Sequence, residues 1–385
     1  MLNFCIRRFF YSLLVICGVL LLTFVLFNLA AGDPAAAALG KNARPEEIEN
    51  FRRELGADLP LFYGHERRTE AFQLEDGVYR RKFAADDVHV RIISTDGSSR
   101  EKALDAAVVR LRLPKGARAE FFRRQENPFN SQFFRAFGEI LHFKGEFPYV
   151  EFFDFGRTIS TREPIRELLW NGVWASLALM IPVFFGEMFF GMVLALVATA
   201  FRDRWPDRLL VVLSVCFMSV SYLVLIIGSQ WLFGYKLGWF PLWGFEGPRY
   251  LVLPVLTGIL FGVGGNIRFF RTVFIDELGR EYLRTAVAKG EAPWRVYGVH
   301  LLRNASLQII TKAGAGLPFL FTGSLLLESF FGIPGLGFVG VDALYNSDIQ
   351  LLKAVVVLSS ILFVVINFLT DLAYAWADPR VRVTG

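Results

Sequence analysis

The sequence has few residues suited to covalent or metal chemistry. Its three cysteines and four histidines are scattered through 385 residues, so they form no disulfide framework and no metal-ligand spacing. The cysteines lie in or beside apolar runs, and we interpret them as small buried apolar residues. No Ser/His/Asp arrangement is recognisable, and no G-x-x-x-x-G-K-[ST] sequence occurs. The chain therefore lacks the loop by which many proteins hold ATP.

One glycine motif is present but lacks its usual context. GLGFVG at residues 335–340 matches G-x-G-x-x-G. A dinucleotide site needs this motif between a strand and a helix of a βαβ unit, whereas here it follows an apolar run long enough to cross a membrane. We interpret these glycines as shaping a turn at the external mouth of the protein. No metal site and no nucleic-acid partner is predicted.

Apolar residues are abundant. They make up 54% of the chain, and 15% of the residues are aromatic, whereas soluble domains are about 45–50% apolar even with glycine counted. A helix needs about 20 apolar residues to cross a bilayer, and each crossing segment must be a helix because lipid offers no hydrogen bonds. Six runs satisfy this requirement: Phe9–Ala31, Gly172–Phe201, Leu209–Phe233, Tyr250–Phe274, Ile309–Phe331 and Ala354–Trp376. The first exceeds the apolar core of about 7–15 residues found in a signal peptide, so we predict a retained span.

The positions of the arginines predict the orientation. Cytoplasmic loops carry an excess of Lys and Arg. With the N-terminus in the cytoplasm, the short outer loops hold only Lys236, Arg249 and Lys353. The inner side then holds Arg7, Arg8, Arg202, Arg204, Arg208, Arg280, Arg284, Lys289, Arg295, Arg303, Arg380 and Arg382. We therefore predict that both termini are cytoplasmic and that residues 32–170 are extracytoplasmic.

The long segment 32–170 has periodicities of its own. Ile48, Phe51 and Leu55 have helical spacing after Pro45, and Phe133, Phe134, Phe137 and Leu141 suggest a second helix. DVHVRII and AAVVRLRLP resemble strands, with Asp76-Gly77 and Asp96-Gly97 as turn signals. A small α+β insertion between the first and second spans is predicted, with a β-rich module at about residues 64–130.

A basic segment interrupts the apolar sequence between the fourth and fifth runs. The stretch EYLRTAVAKGEAPWRVYGVHLLRN, residues 281–304, lies within residues 275–308, which we name the elbow segment. Leu283, Ala286 and Val287 have the spacing of one apolar helix face. Gly290 is suited to end that helix, and Pro293 is suited to begin another. The residues alone leave two alternatives: a basic loop lying on the membrane, or a helix pair that transmits force from a cytoplasmic partner.

YLRTAVAKG and HLLRNA in the elbow segment resemble the cytoplasmic coupling loop of ABC-importer permeases of the dipeptide, oligopeptide and nickel group. Arg284, Thr285 and Ala286 occupy the Glu-Ala-Ala positions of the general motif, with Arg284 replacing the acid, and Gly290 is its glycine. Further stretches resemble the family in the same order: RRFFYSLLVICGVLLLTFVLFNLAAGDPA, EEIENFRRELGADLPLFY, FDFGRTIST, LFTGSLLLESFFGIPGLGFVGVDALYNSDI and DLAYAWADPRVR. The resemblance covers nearly all of the chain except residues of about 64–130. It is greater to the oligopeptide or microcin-C-like branch of the family.

The resemblance implies an all-α membrane protein with six transmembrane helices of the type I importer kind, in a bacterial inner membrane. Residues 1–31 would form the N-terminal span and 171–385 a five-helix core. It implies a homologous second permease, cytoplasmic ATPase subunits that bind ATP and Mg, and an extracytoplasmic solute-binding protein. This chain would bind no cofactor and catalyse no reaction. Eight residues would contact or orient the ATPase: Glu281, Tyr282, Arg284, Thr285, Ala286, Gly290, Trp294 and His300.

Polar residues inside the predicted spans are candidates for the translocation path. An ionisable residue in a span is costly, and it is usually either functional or paired. Glu187, Asn266 and Glu328 are the residues predicted to line the path. The alternative for each is a hydrogen-bonded structural role between helices.

Two other functional classes are compatible with a polytopic membrane protein. An ion-driven secondary transporter would show inverted repeats and broken spans in matching halves, and no such pairing is visible. A membrane enzyme or protease would need an intramembrane nucleophile with a base, and Glu187 is the one deep acid. If the chain belongs to an ABC importer, a nickel chelate is the alternative to peptide cargo.

Overall fold

The computed structural model describes residues 2–30, 39, 45–73, 77–82, 88–93, 98–104, 108–113, 118–138, 141–143, 150–152, 155–159 and 161–377. The predicted turn at Asp96-Gly97 and the basic pair Arg380 and Arg382 lie outside these ranges. Contacts divide the chain into two compact units. The first comprises residues 1–20, 167–346 and 354–385, and the second comprises 21–166 and 347–353.

The first unit is built from helices. The described helices that contribute to it are α1 Leu2–Val25, α4 Ile165–Ala200, α5 Trp205–Ser219, α6 Tyr222–Ser229, α7 Pro248–Leu278, α8 Glu281–Ala288, α9 Pro293–Arg295, α10 Leu302–Thr322, α11 Leu325–Phe331, α12 Leu336–Tyr345 and α13 Ile349–Ala377. Three π-helical turns extend them: Leu26–Ala30 after α1, Gln230–Lys236 after α6, and Val296–Leu301 between α9 and α10.

Among the described residues, four helices are long and apolar enough to cross a membrane: α1, α4, α7 and α13. The number becomes six if two bent helix pairs each count as one span. The pair α5–α6, which contains the predicted run Leu209–Phe233, bends by 95°. The pair α10–α11, which contains the predicted run Ile309–Phe331, bends by 44°. Both predicted runs are therefore apolar enough to cross a membrane, and each is interrupted by a bend that the sequence pattern did not reveal.

Both bends have local causes. Val220 adopts an extended backbone between α5 and α6, and the hydroxyl of Ser219 donates a hydrogen bond to the carbonyl of Val215 at 2.8 Å. The extended conformation of Val220 lies outside the helical region and ends α5. Gly323 has φ +72° between α10 and α11, a conformation that glycine adopts without strain and that cannot continue a right-handed helix.

The second unit combines short helices and strands. Its described helices include α2 Pro45–Leu55 and α3 Gln132–Gly138. The described strands are β1 Glu66–Gln73, β2 Gly77–Lys82, β3 Val88–Ile93, β4 Ser99–Leu104, β5 Val108–Leu113, β6 Arg118–Arg124, β7 Leu141–Phe143 and β8 Val150–Phe152. The strand-like sequences DVHVRII and AAVVRLRLP correspond to β3 and β5. The aromatic helix pattern ends earlier than predicted, because Leu141 begins β7.

The larger sheet of the second unit has the strand order β1-β6-β3-β4 and is antiparallel. Val90, Phe121 and Phe122 are buried on these strands. Arg91 lies across the face of Phe122 and pairs with Glu66 at 2.7 Å and Glu101 at 2.6 Å. These carboxylates raise the pKa of Arg91 above its already high ordinary value, so the guanidinium remains charged at all accessible pH values.

The cysteines correct one expectation. Cys17 and Cys216 are exposed on the surfaces of α1 and α5, and Cys5 is half-buried. Because these helices are apolar on all sides, their outer surfaces carry residues that a soluble protein would bury. Burial within the protein was therefore the wrong inference for Cys17 and Cys216.

Candidate functional site

The elbow segment turns at Gly290. The N–H of Gly290 donates to the carbonyl of Val287 at 2.9 Å, and the N–H of Glu291 donates to that of Ala286 at 3.3 Å. This pair of bonds is a Schellman motif, which needs a left-handed residue after the helix, and Gly290 has φ +76°. A Cβ placed at Gly290 would meet no atom within 4 Å. The glycine is therefore required for its backbone conformation and not for space.

The inner side of the elbow segment is buried in the first unit. Leu283 and Ala286 of α8 pack in one cluster with Phe270 and Phe274 of α7. Ala195 of α4, Val296, Leu301 and Ala305 complete the cluster. Helix α8 is therefore fixed to the two long helices on either side of it, α7 and α10.

The outer side presents a mixed surface. Of the eight predicted contact residues, Glu281, Arg284, Thr285, Gly290 and Trp294 are exposed, whereas Tyr282 and His300 are half-buried. Ala286 is buried, so its side chain supports the segment from within and presents nothing to a partner. Val287 was assigned to the buried face by its spacing, but it is 62% exposed, and Trp294 is 67% exposed.

Two polar contacts fix the elbow segment on either side of Gly290. The hydroxyl of Tyr282 donates to Glu277 at 2.9 Å. His300 donates through Nε2 to the carboxylate of Glu291 at 2.8 Å, which ties the residue after the glycine to the π-helical turn. Burial, together with the neighbouring Glu277, raises the pKa of Tyr282 above its ordinary value, so the phenol stays a hydrogen-bond donor.

Sequence reasoning missed an ion pair beside this region. Arg271 of α7 donates through Nε and one terminal nitrogen to Asp207 of α5, at 2.7 and 2.8 Å. The backbone N–H of Asp203 donates to the same carboxylate at 3.0 Å. The double contact links the start of α5 to the end of α7. The rule that an ionisable residue in a predicted span needs a partner could have identified Arg271.

Glu187 lies where α4 and α7 approach each other closely. It is half-buried on α4, and its carboxylate lies beside the side chain of Asn266, which is buried on α7. A Cβ added to Gly262 would overlap the Glu187 carboxylate, and one added to Gly191 would overlap Asn266. Small residues at these positions allow the two helices to pack closely, and the structure thus brings together two of the three predicted path residues.

Glu187 also borders a cavity of about 290 Å³ between α4 and α10. Its other lining residues are Met180, Val183, Phe184, Met188, Lys312, Ala315, Gly316, Phe319 and Leu320. Lys312 was not among the predicted residues, although it lies within the apolar run Ile309–Phe331.

Glu328, the third predicted path residue, is enclosed. It is fully buried on α11. One carboxylate oxygen accepts from the Ser176 hydroxyl at 2.8 Å and the Ser324 N–H at 3.1 Å. The other accepts from the N–H groups of Gly337 and Phe338 at 2.7 and 3.2 Å. Glu328 thus caps the N-terminus of α12 from another helix, which agrees with the hydrogen-bonded structural alternative, and its place in the translocation path stays a prediction.

The glycines of the sequence GIPGLG, residues 332–337 at the start of α12, are also explained by the position of Glu328. A Cβ on Gly335 would overlap the Glu328 carboxylate, and one on Gly337 would collide with the backbone of Leu325. These glycines allow the chain to pass close to the buried acid. Among the described residues, no group of three or more His, Cys, Asp or Glu side chains could hold a metal ion.

Comparisons with known proteins decide the family. Residues 188–383 match the family described as "Binding-protein-dependent transport system inner membrane component", just over half of the chain. Residues 1–73 match the N-terminal domain of the same type of membrane component. The chain is a member of this permease family.

The permease is similar to curated relatives over most of its length. It is 34% identical to the glutathione transport system permease protein GsiC of Salmonella paratyphi A over 257 residues, covering 67% of this chain and 81% of the relative. It is also 34% identical to GsiC of Escherichia coli K12 over 229 residues, covering 60% and 75% respectively. A chain of the MetNI methionine ABC transporter has 21% identity and a TM-score of 0.45, over 56% of this chain and 99% of that one.

Family membership establishes the general function. The permease is a transmembrane subunit of an ATP-driven importer in the dipeptide and oligopeptide branch, and it is an inner membrane protein. ATP hydrolysis takes place on a separate subunit, and an extracytoplasmic binding protein works with the complex. The alternatives of an ion-driven transporter and a membrane enzyme are excluded.

Proposed function

We propose that the elbow segment is the surface on which this permease receives force from its ATPase subunit, which binds ATP and Mg. The observation that supports this most directly is the contrast between its two sides. The inner side is packed against α7 and α10, whereas Val287 and Trp294 are exposed beside Arg284 and Thr285. An exposed aromatic and an aliphatic side chain at the centre of a polar rim are typical of a protein interface.

The packing of the inner side provides a path for the movement. We expect a displacement of α8 to move α7 and α10 with it, because Leu283 and Ala286 share one buried cluster with Phe270, Phe274 and Ala305. The Arg271–Asp207 pair extends the connection to α5. Closure of the ATPase pair would then tilt these helices between inward-open and outward-open states, and cargo shifts the equilibrium by binding one state more tightly.

The membrane topology is part of the same proposal. Six spans of the type I importer kind, with each bent helix pair counted as one, place both termini and the elbow segment in the cytoplasm. The support is the concentration of arginine in the loops assigned to that side. Cysteines introduced at Asp96 and Arg295 should react with impermeant reagents from outside and inside respectively, and the reverse pattern would contradict the topology.

The β-rich module at residues 64–130 is proposed to be extracytoplasmic and to contact the binding protein or cover the entrance. Its ends are joined: the N–H of Gly64 donates to Pro128 at 3.1 Å, and that of Gln125 donates to His65 at 2.8 Å. It can therefore be replaced by a short linker. We expect the deletion to retain ATPase assembly and to weaken binding-protein docking, whereas loss of the ATPase would assign the module a structural role.

We propose peptide cargo and a homologous second permease subunit. The support for peptide cargo is the similarity to the GsiC proteins, whose names specify glutathione, a small peptide. A nickel chelate is the alternative cargo. Uptake of labelled glutathione by the complete importer, in competition with small peptides and with a nickel chelate, distinguishes the two.

Crosslinking tests the docking surface directly. In a chain whose three native cysteines are replaced by serine, cysteines at Val287 and Trp294 should crosslink to the ATPase subunit, and the yield should change when ATP binds. Asn346 is an exposed residue after α12, and a cysteine there is the matched control. Equal crosslinking from Asn346, or none from Val287 and Trp294, would overturn the docking proposal.

A further inference from the structure

The cavity between α4 and α10 contains two opposite charges that are not paired with each other. Glu187 and Lys312 both line it, and no carboxylate of the described residues lies within 4.0 Å of the Lys312 ammonium group. The ammonium group lies over the ring of Phe269, 5.4 Å from its centroid. Ionisable side chains within membrane spans are costly unless they are paired or face a cavity that admits polar groups.

The other residues that line the cavity are apolar. Phe184 and Phe319 contribute aromatic surface, and Met180, Met188 and Leu320 contribute aliphatic surface. Asn266 lies beside Glu187 on the side of α7, and the charge of Lys312 acts on the carboxylate without a direct ion pair. A mostly apolar cavity with a few convergent polar groups is the usual form of a small-molecule site.

We propose that Glu187 and Lys312 form a cargo site for a zwitterion, in which Glu187 binds a free amine and Lys312 binds a free carboxylate. This inference rests on the proposed function as a peptide permease. A cargo with both charges pairs both side chains at once. A cargo with one charge leaves the other side chain unpaired in an apolar cavity, and such unpaired groups are the main source of strong discrimination by binding sites.

The size of the site agrees with this class of cargo. The cavity volume of about 290 Å³ is near the lower limit of about 300 Å³ for small-molecule pockets. The cavity is therefore large enough for the terminus of a dipeptide or tripeptide and too small for a long chain. One alternative is that Glu187 and Lys312 pair directly with each other in another state of the transport cycle. That alternative predicts that removing both charges together restores what removing one has damaged.

The test is uptake by the complete reconstituted importer of glutathione and trialanine, with N-acetylated and C-amidated trialanine as blocked forms. The variants are Glu187→Gln, Lys312→Met and the double variant, and the matched controls outside the cavity are Glu246→Gln and Lys236→Met. Each rate is divided by the wild-type rate for the same cargo. The preference of the unchanged binding protein cancels in this ratio.

We expect Glu187→Gln to reduce the preference for a free amine over an N-acetyl group by about tenfold or more and to leave the preference for a free carboxylate unchanged. Lys312→Met should reduce the preference for a free carboxylate over an amide and leave the preference for a free amine unchanged. The double variant should lose both preferences, and the controls should lose neither. Equal losses for all four cargoes, rescue by the double variant, or a wild-type importer that carries only uncharged or singly charged cargo would each overturn the inference.

Stimulation of ATP hydrolysis by the loaded binding protein separates this inference from the proposed function. The single variants should still assemble with the ATPase and hydrolyse ATP. A wild-type complex that fails to couple hydrolysis to uptake contradicts the proposed function. A coupled complex whose cargo preferences do not respond to Glu187 and Lys312 contradicts only the zwitterion site.

Discussion

Glu187 and Glu328 are both acids in helices of the membrane-spanning unit, and the sequence suggested the same role for both. Their surroundings are different. Glu328 accepts hydrogen bonds from four donors and is fully buried, whereas Glu187 is half-buried, lies beside Asn266 and borders a cavity that also contains Lys312. The depth of a charged residue in a span therefore does not reveal its role. Whether its hydrogen bonds are already satisfied within the chain is more informative.

The largest loss of stability is expected from a substitution at Glu328. Glu328→Ala leaves the Ser176 hydroxyl and the N–H groups of Gly337 and Phe338 without their acceptor, and each buried unpaired group costs about 1–3 kcal/mol. We expect a loss of several kcal/mol in stability, measured as a lower thermal unfolding midpoint in detergent. Glu246→Ala is the control, because Glu246 is an exposed acid with one long hydrogen bond to Tyr250.

Glu187→Gln tests the second of the two acids, and we expect it to change stability much less than Glu328→Ala. The amide keeps an oxygen that can accept from Asn266, so we expect its unfolding midpoint to stay within the equivalent of about 1 kcal/mol of the wild type. If Glu187→Gln destabilises as much as Glu328→Ala, the distinction between the two acids is wrong.

The next largest loss of stability is expected from a substitution at Gly262. Gly262→Ala places a methyl group where the Glu187 carboxylate lies, so the carboxylate must move away from Asn266. Overpacking of this kind costs about 1–3 kcal/mol, and we expect both the unfolding midpoint and the uptake rate to fall. Gly265→Ala on the same helix is the matched control, since its Cβ meets nothing within 4 Å. Identical behaviour of the two alanine variants would show that α4 and α7 do not pack as described.

A smaller effect on stability, with a clear effect on coupling, is expected at Gly290. Valine there is strained by about 1–2 kcal/mol in the left-handed conformation, and α8 can avoid the strain by changing its angle. We expect Gly290→Val to retain expression and to uncouple ATP hydrolysis from uptake. Thr285→Arg should also uncouple them, by adding bulk and charge to the docking surface. Gly290→Asn should remain coupled, because asparagine tolerates this conformation, and wild-type coupling in Gly290→Val would favour a passive membrane-surface loop.

The smallest effect concerns Asp58, a buried acid in the second unit. Burial raises the pKa of Asp58 above its ordinary value of 3.8, although Arg67 and its own backbone N–H act in the opposite direction. The folded state therefore binds the proton more tightly than the unfolded state. The contribution of Asp58 to stability is fully present below the unfolded pKa and is lost as the pH rises through the folded pKa.

Replacement by asparagine tests this dependence. Asp58→Asn should be slightly more stable than the wild type at neutral pH, and the difference should shrink as the pH falls below the ordinary value for Asp. Thermal unfolding over a pH series provides the measurement. A difference that grows on acidification would mean that Asp58 is stabilised as an anion.

Much of the elbow segment could be predicted from its residues. Gly290 and Pro293 indicated where one helix ends and the next begins, and the structure has these boundaries at Ala288 and Pro293. The side-chain directions were less predictable. Leu283, Ala286 and Val287 share one helical face by spacing, yet Val287 is exposed, because whether an edge position is covered depends on neighbours that are distant in sequence.

The sequence by itself determined that the chain crosses a membrane, that it carries a basic elbow between two apolar runs, and that it lacks an ATP-binding loop. These properties follow from composition, local periodicity and glycine conformation, which need no distant contact. Tertiary structure decided which acid is enclosed and which faces a cavity, since Glu328 meets Ser176 across 152 positions of the chain. It also placed Lys312 beside Glu187, because packing of α4 against α10 joins residues that no local pattern connects.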